Sequence, residues 1–136
     1  MLRVIEALRA RNQKVPVPLS LPSEDDLVLI EEQLYLTLNR ELRVFLLTVS
    51  DLILGKFEPV TAVDEFSHTF LPTVAAEAWD QGVPRNLIPI CQDGQKYFCI
   101  DETGEVSLWQ GEQQTLDQGP WPDIWQWAES VWLSQA

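Results

Sequence analysis

A chain of 136 residues that is 46% hydrophobic, with 21 acidic against 9 basic residues, can build one domain with a real core. It is too short for two domains and too apolar to stay disordered. Its net charge of −12 repels nucleic-acid phosphate and anionic membrane surfaces and attracts basic partners, so direct nucleic-acid binding is disfavoured.

The charge is uneven along the chain. Residues 1–14, MLRVIEALRARNQK, hold Arg3, Arg9, Arg11 and Lys14 against Glu6 alone; the rest has five Lys or Arg against twenty Asp or Glu. This basic segment has neither the continuous apolar run nor the small-residue cleavage site of a targeting peptide, and no stretch approaches the ~20 apolar residues of a membrane span. The expected location is the cytoplasm, where the two cysteines stay reduced. Leu2, Ile5 and Leu8 recur at helical spacing and predict a short amphipathic helix. "VPVPLSLP" (15–22) ends it, because its prolines enforce an extended connector. Residues 1–20 thus read as helix plus connector, and 21–136 as the main domain.

Ser23 reads as a helix N-cap with Asp26 at the capping-box position, ahead of a stripe of Leu27, Ile30 and Leu34. The acidic run Glu24, Asp25, Asp26, Glu31 and Glu32 fits a helix N-terminus and solvated face better than a cation site. Asn39 caps a further helix in which Leu42, Phe45, Leu46 and Val49 share a face. "ILGKFEPV" (53–60) reads as a strand ended by Pro59. Pro72 suits the first turn of a helix running through Trp79 and stopped by Gly82 and Pro84.

In "LIPICQDGQKYFCIDETGEVSLW" (87–109), "QDGQ" and "ETGE" are turn signals between strand-like runs. A type I turn over Asp101–Thr103, with Gly104 left-handed, pairs Ile100 with Val106 and Phe98 with Leu108. Tyr97, Cys99, Ser107 and Trp109 then share the other face. At the first turn, a two-residue Asp93–Gly94 loop sets Cys91 against Lys96 and the cysteines on opposite faces. A three-residue loop makes them diagonal neighbours about 7–8 Å apart, beyond easy disulfide reach. With two cysteines and one histidine, His68, far off in a Ser/Thr-flanked loop, the chain lacks the four closely spaced ligands of a zinc site. The cysteines read as structural thiols.

The tail "GPWPDIWQWAESVWL" (119–133) reads as a closing helix. Trp121, Ile124, Trp125, Ala128, Val131 and Trp132 fall in a sector of roughly 120°, with Trp127 off its centre and free to form a contact surface. The element order gives an α+β single domain: N-terminal helices, an antiparallel meander sheet with an embedded helix, and a closing C-terminal helix. No Gly-rich phosphate loop, G-x-S-x-G elbow or H-E-x-x-H motif occurs. The reading is therefore of a non-enzyme with no cofactor and no metal.

Three segments resemble the SUKH superfamily, which includes Smi/Knr-type fungal cell-wall synthesis regulators and many bacterial immunity proteins. "PSEDDLVLIEEQLYLTLNRELRVFLLTVSD" (22–51) is similar to its opening helix and Leu-Pro-x-x-Tyr-x-x-Phe-Leu segment, with Leu38, Leu42, Phe45 and Leu46 on the apolar positions. Residues 87–109 resemble its central strands, and "WPDIWQWAESVWL" its terminal helix. Asn39 stands where the family usually has Pro, and Ser50-Asp51 where it has Asn-Gly. The resemblance implies a non-catalytic binding module, foremost an immunity protein that neutralises a basic, nuclease-type toxin domain. A regulatory or scaffold adaptor for a cellular protein is the alternative. Placement around the sheet and its loops, together with expected exposure, nominates Asp64, Glu65, Tyr97, Trp109 and Glu112 as partner-binding residues.

Overall fold

Side-chain caps mark the starts of several helices in the computed structural model of the chain, which describes residues 1–135. Ser23 Oγ accepts the Asp26 N–H at 3.2 Å while Asp26 Oδ2 accepts the Ser23 N–H at 2.9 Å, closing a capping box at the start of α2 (Glu24–Leu34). Asn39 Oδ1 accepts the Leu42 N–H at 2.8 Å and opens α3 (Arg40–Val49). The same residue's Nδ2 donates to the Asp101 carbonyl at 3.0 Å, tying α3 to a turn of the sheet. Asn39→Ala removes both bonds, and is expected to lower stability by about 1–2 kcal/mol in urea denaturation.

The first helix, α1 (Leu2–Ala10), packs on α3 through Val4 and Leu8, both buried, with Ile5 half-buried. Leu2, expected in this stripe, is 69% exposed. It lies roughly 160° round the helix from Val4, whereas Val4 and Leu8 stack one turn apart. The connector after α1 is held by Asn12 and Gln13: Asn12 Oδ1 accepts the Ile53 N–H and the Gln13 N–H donates to the Ile53 carbonyl, both at 2.8 Å.

Residues 53–60 do not form the expected strand. Gly55 sits at φ +55° and bends the chain, and Pro59 has no N–H to extend a ladder. What remains is one antiparallel bridge, Pro59 to Cys91, backed by the Val60 N–H to the Ile90 carbonyl at 2.8 Å. All four strands of the described residues therefore follow α4 (Leu71–Asp80), which carries Pro72 in its first turn and rests on the first of them.

The sheet is a meander in the order β1 (Ile88–Asp93), β2 (Lys96–Ile100), β3 (Val106–Gln110) and β4 (Gln113–Thr115). The second hairpin has the expected register, with Ile100 opposite Val106, Phe98 opposite Leu108 and Tyr97 opposite Trp109. Its turn closes through the Gly104 N–H to the Asp101 carbonyl at 3.1 Å, with Gly104 at φ +93°.

The first hairpin follows neither of the two expected registers. Gly94, at φ +61°, takes the first turn position with Gln95 beside it, so Asp93 pairs with Lys96 and Cys91 with Phe98. A bulge between Pro89 and Cys91 then absorbs one residue, and Pro89 faces Cys99. The cysteines still lie on opposite faces, by a different route. Strand β4 is short and polar, and no apolar alternation announced it.

At the chain's end, Asp123 Oδ1 accepts the Gln126 N–H at 2.8 Å and starts α5 (Ile124–Trp127), which widens into a π-helical turn over Ala128–Trp132. Trp121 lies outside this helix, bridged to Val106. Trp127, expected off the buried face, is fully buried. The π turn advances by five residues, which aligns Trp127 with Trp132. Both pack on Phe45 of α3, at ring-centroid distances of 6.4 and 5.8 Å, and Trp127 also meets Phe98 of β2 at 5.4 Å.

Candidate functional site

The five nominated residues fall into two places. Tyr97 and Trp109 are cross-strand neighbours on β2 and β3. Glu112 is exposed in the following turn, where its backbone approaches Gly82 just beyond α4. Asp64 and Glu65 stand apart from these, in an exposed loop against α2.

The expectation that Tyr97 is exposed is corrected: it has no accessible surface. The end of α4 covers it, with Gln81 Nε2 donating to the Tyr97 hydroxyl at 3.2 Å. Burial, and then the Glu77 carboxylate, push its phenol above the usual range. Trp109 is half-buried and donates from Nε1 to Ser107 Oγ at 2.8 Å. This face is mostly closed by the protein itself.

The Asp64/Glu65 loop is different. Asp64 Oδ1 accepts the Phe66 N–H at 2.9 Å and the Asp64 carbonyl accepts the Ser67 N–H at 3.1 Å, folding the segment into a tight turn. At its base the Thr61 N–H donates to the Thr69 carbonyl at 2.8 Å, and the Thr61, Ser67 and Thr69 hydroxyls bond in a chain at 2.8–2.9 Å. Phe66, held out by this turn, is 89% exposed.

Between the loop and α2 runs a groove of about 340 Å³, lined by Asp26, Leu29, Gln33, Val63, Asp64 and Phe66 among others. Gln33 also lines a second groove, of about 450 Å³, between the end of α2 and α4. Tyr35 lines that one from a left-handed backbone, φ +56°, and is 92% exposed. Sequence reasoning passed over Phe66, Tyr35 and Leu29. A weak signal existed: Val28 and Leu29 fall outside the Leu27, Ile30, Leu34 stripe, and Phe66 lies among turn-forming polar residues.

The remaining polar groups are arranged otherwise. His68 Nε2 lies 2.5 Å from Glu58 Oε2 at the mouth of a mainly apolar cavity of about 130 Å³. Among the described residues no three His, Cys, Asp or Glu side chains are grouped to hold a metal ion. Cys91 and Cys99 are buried free thiols, donating weakly to the Gln92 and Tyr97 carbonyls. Burial, aided by Asp93, pushes the Cys91 thiol up to about 12, and burial raises Cys99 as well. The native protein thus keeps both protonated where the unfolded chain would ionise them. Stability is expected to fall as pH rises from the usual thiol range through about 12. At about pH 8 a disulfide reagent should find both thiols silent in the native protein and reactive after denaturation. Prompt labelling of either in the native state would contradict this packing.

No helix of the described residues is long and apolar enough to cross a membrane. A SUKH-type family model described as "SMI1-KNR4 cell-wall" matches residues 1–133, and so takes in α1 and the connector as well as the segments that carried the resemblance. A crystal structure of a protein from Pseudomonas syringae pv. tomato is similar to this chain at 54% sequence identity and a TM-score of 0.93. The match covers 98% of this chain and 99% of that one. No curated protein matches.

Proposed function

The chain belongs to the SMI1-KNR4 family of the SUKH superfamily, and from that premise we propose that it is a non-catalytic protein-binding module of the immunity type. Its partner is a basic protein, foremost a nuclease-type toxin domain, which it neutralises in the cytoplasm by non-covalent docking. The observation that carries this reading is the net charge of −12, combined with how the cations are used. Arg3 pairs with Glu129, Arg9 with Asp51, and Arg43 with both Glu24 and Glu31. Arg85 lies over the Trp79 ring at 4.4 Å. These cations are turned to the protein's own groups, while Asp64, Glu65 and Glu112 face outward. A field of one sign steers a basic surface into encounter, and a nuclease covered at its substrate surface cannot take up nucleic acid.

Co-expression with the product of the neighbouring gene, followed by association kinetics of the purified pair, tests the proposal. Rescue from that product's toxicity, with an association rate that falls steeply with salt, is the expected result. The family description, a cell-wall one, favours a second reading as a regulatory or scaffold adaptor. Recovery of a housekeeping complex from the native host, with no binding to the neighbouring product, would replace the first reading by the second.

A further inference from the structure

We infer that the paired grooves along α2 are the docking surface, and that they take an arginine-bearing apolar face of the basic partner; this rests on the binding-module reading above. The two aromatic side chains that flank the grooves are almost wholly in water, Phe66 at 89% and Tyr35 at 92% exposure. Neither is on a loose segment. Phe66 is fixed by the Asp64 turn and the hydroxyl chain beneath it. Tyr35 is fixed at the end of α2, where its N–H donates to the Glu31 carbonyl and its backbone adopts a conformation that a non-glycine residue takes at a cost. An aromatic side chain on a backbone already held by hydrogen bonds has only its two side-chain torsions left to lose on binding, and such groups dominate interface energetics.

The floor between them is apolar as well. Leu29 is 57% exposed and Val63 is 46% exposed, and both line the first groove. Its rim is acidic, through Asp26, Asp64 and Glu65, with no Lys or Arg among its lining residues. In the second groove the one basic lining residue, Arg85, is already stacked on Trp79. Aromatic faces beside carboxylates match arginine better than lysine. The planar guanidinium stacks on a ring while its N–H groups fork to a carboxylate. The alternative face, around Tyr97 and Trp109, has its phenol covered and its indole N–H already bonded.

The test uses the full chain, isotope-labelled for amide NMR, with two synthetic probes: an amphipathic peptide of leucine and arginine, and an oligolysine of equal charge. The first should shift the amides of Leu29, Gln33, Tyr35 and Asp64 to Phe66. Phe66→Ala, whose side chain packs on almost nothing, should leave the melting temperature unchanged and weaken that peptide about tenfold or more. Asp64→Asn keeps an acceptor for the Phe66 N–H and should flatten the salt dependence. Oligolysine should bind more weakly and ignore Phe66→Ala. Equal binding of both probes, or indifference to Phe66→Ala, overturns the apolar part of the inference. Shifts centred on Trp109 and Glu112 overturn the surface while leaving the acidic-to-basic reading standing. Self-association abolished by Phe66→Ala would assign the grooves to a second copy of the chain instead. Failure of both probes to bind overturns the inference, while the reading itself stands or falls on the co-expression experiment.

Discussion

Trp127→Ala is expected to lower folding stability by about 3–5 kcal/mol, measured by urea or guanidinium denaturation followed by far-UV circular dichroism. Trp127 is fully buried and stands where three elements meet. Its ring lies 6.4 Å from Phe45 of α3 and 5.4 Å from Phe98 of β2, so it joins the helical layer to the sheet. Phe45 in turn holds Trp125 at 5.7 Å and Trp132 at 5.8 Å, so a cavity at Trp127 would loosen the whole cluster. Trp127→Phe is the milder cut, giving up the indole donor and part of the volume. The indole Nε1 is buried without a hydrogen-bond acceptor among the described residues, and phenylalanine removes that donor while keeping an aromatic ring. The phenylalanine variant should therefore lose only about 1–2 kcal/mol. A loss below about 1 kcal/mol for alanine would mean that Trp127 is not the joint between the layers.

That residue also marks where periodicity misleads. A uniform 100° per residue puts Trp127 beside the buried sector, and the π turn over Ala128–Trp132 brings it to the centre. Nothing in the one-dimensional pattern announces such a turn. Features decided within a few residues were legible: the Ser23 capping box, the Asn39 cap, and the Asp101–Gly104 turn with its register. Features decided by distant chain were not. The bulge in β1 sits where Pro59, some thirty residues earlier, makes its single bridge to Cys91. The closure of Tyr97 comes from Gln81, sixteen residues away.

The candidate surface divides in the same way. Acidity at Asp64 and Glu65 could be read from charge alone, because a carboxylate in a polar turn is exposed almost by default. Phe66 could not, since a phenylalanine is ordinarily assigned to the core. Its exposure follows from hydrogen bonds that turn the loop and from the hydroxyl chain at Thr61, Ser67 and Thr69. Tyr35 depends on how α2 ends, in a left-handed residue that is not glycine. The weak alternation in α2, with Leu29 outside its stripe, acquires meaning only once the 62–70 loop is seen beside it.

Leu8→Ala is the second large effect, expected at about 2–4 kcal/mol in the same denaturation experiment. Leu8 has no accessible surface and Val4 has 5%, both in contact with the core that α3 supplies. The polar ties of the same segment are weaker holds. Arg9 forks to Asp51 at 3.0 and 3.2 Å and donates to the Thr48 carbonyl at 2.7 Å, but its side chain is 43% exposed. Arg9→Ala should cost less than about 1 kcal/mol, because exposed pairs are screened and entropically costly. The contrast decides what the basic segment is for. Residues 1–14 carry four basic side chains against one acidic, a net +3, so removing them would take the chain from −12 to −15. If their role were electrostatic, Arg9→Ala would rival Leu8→Ala, and salt would mimic the deletion. If α1 is part of the core, deleting 1–14 uncovers the apolar side of α3, and the variant should melt far below the full chain or aggregate. A deletion variant that melts with the full chain would make α1 an appendage.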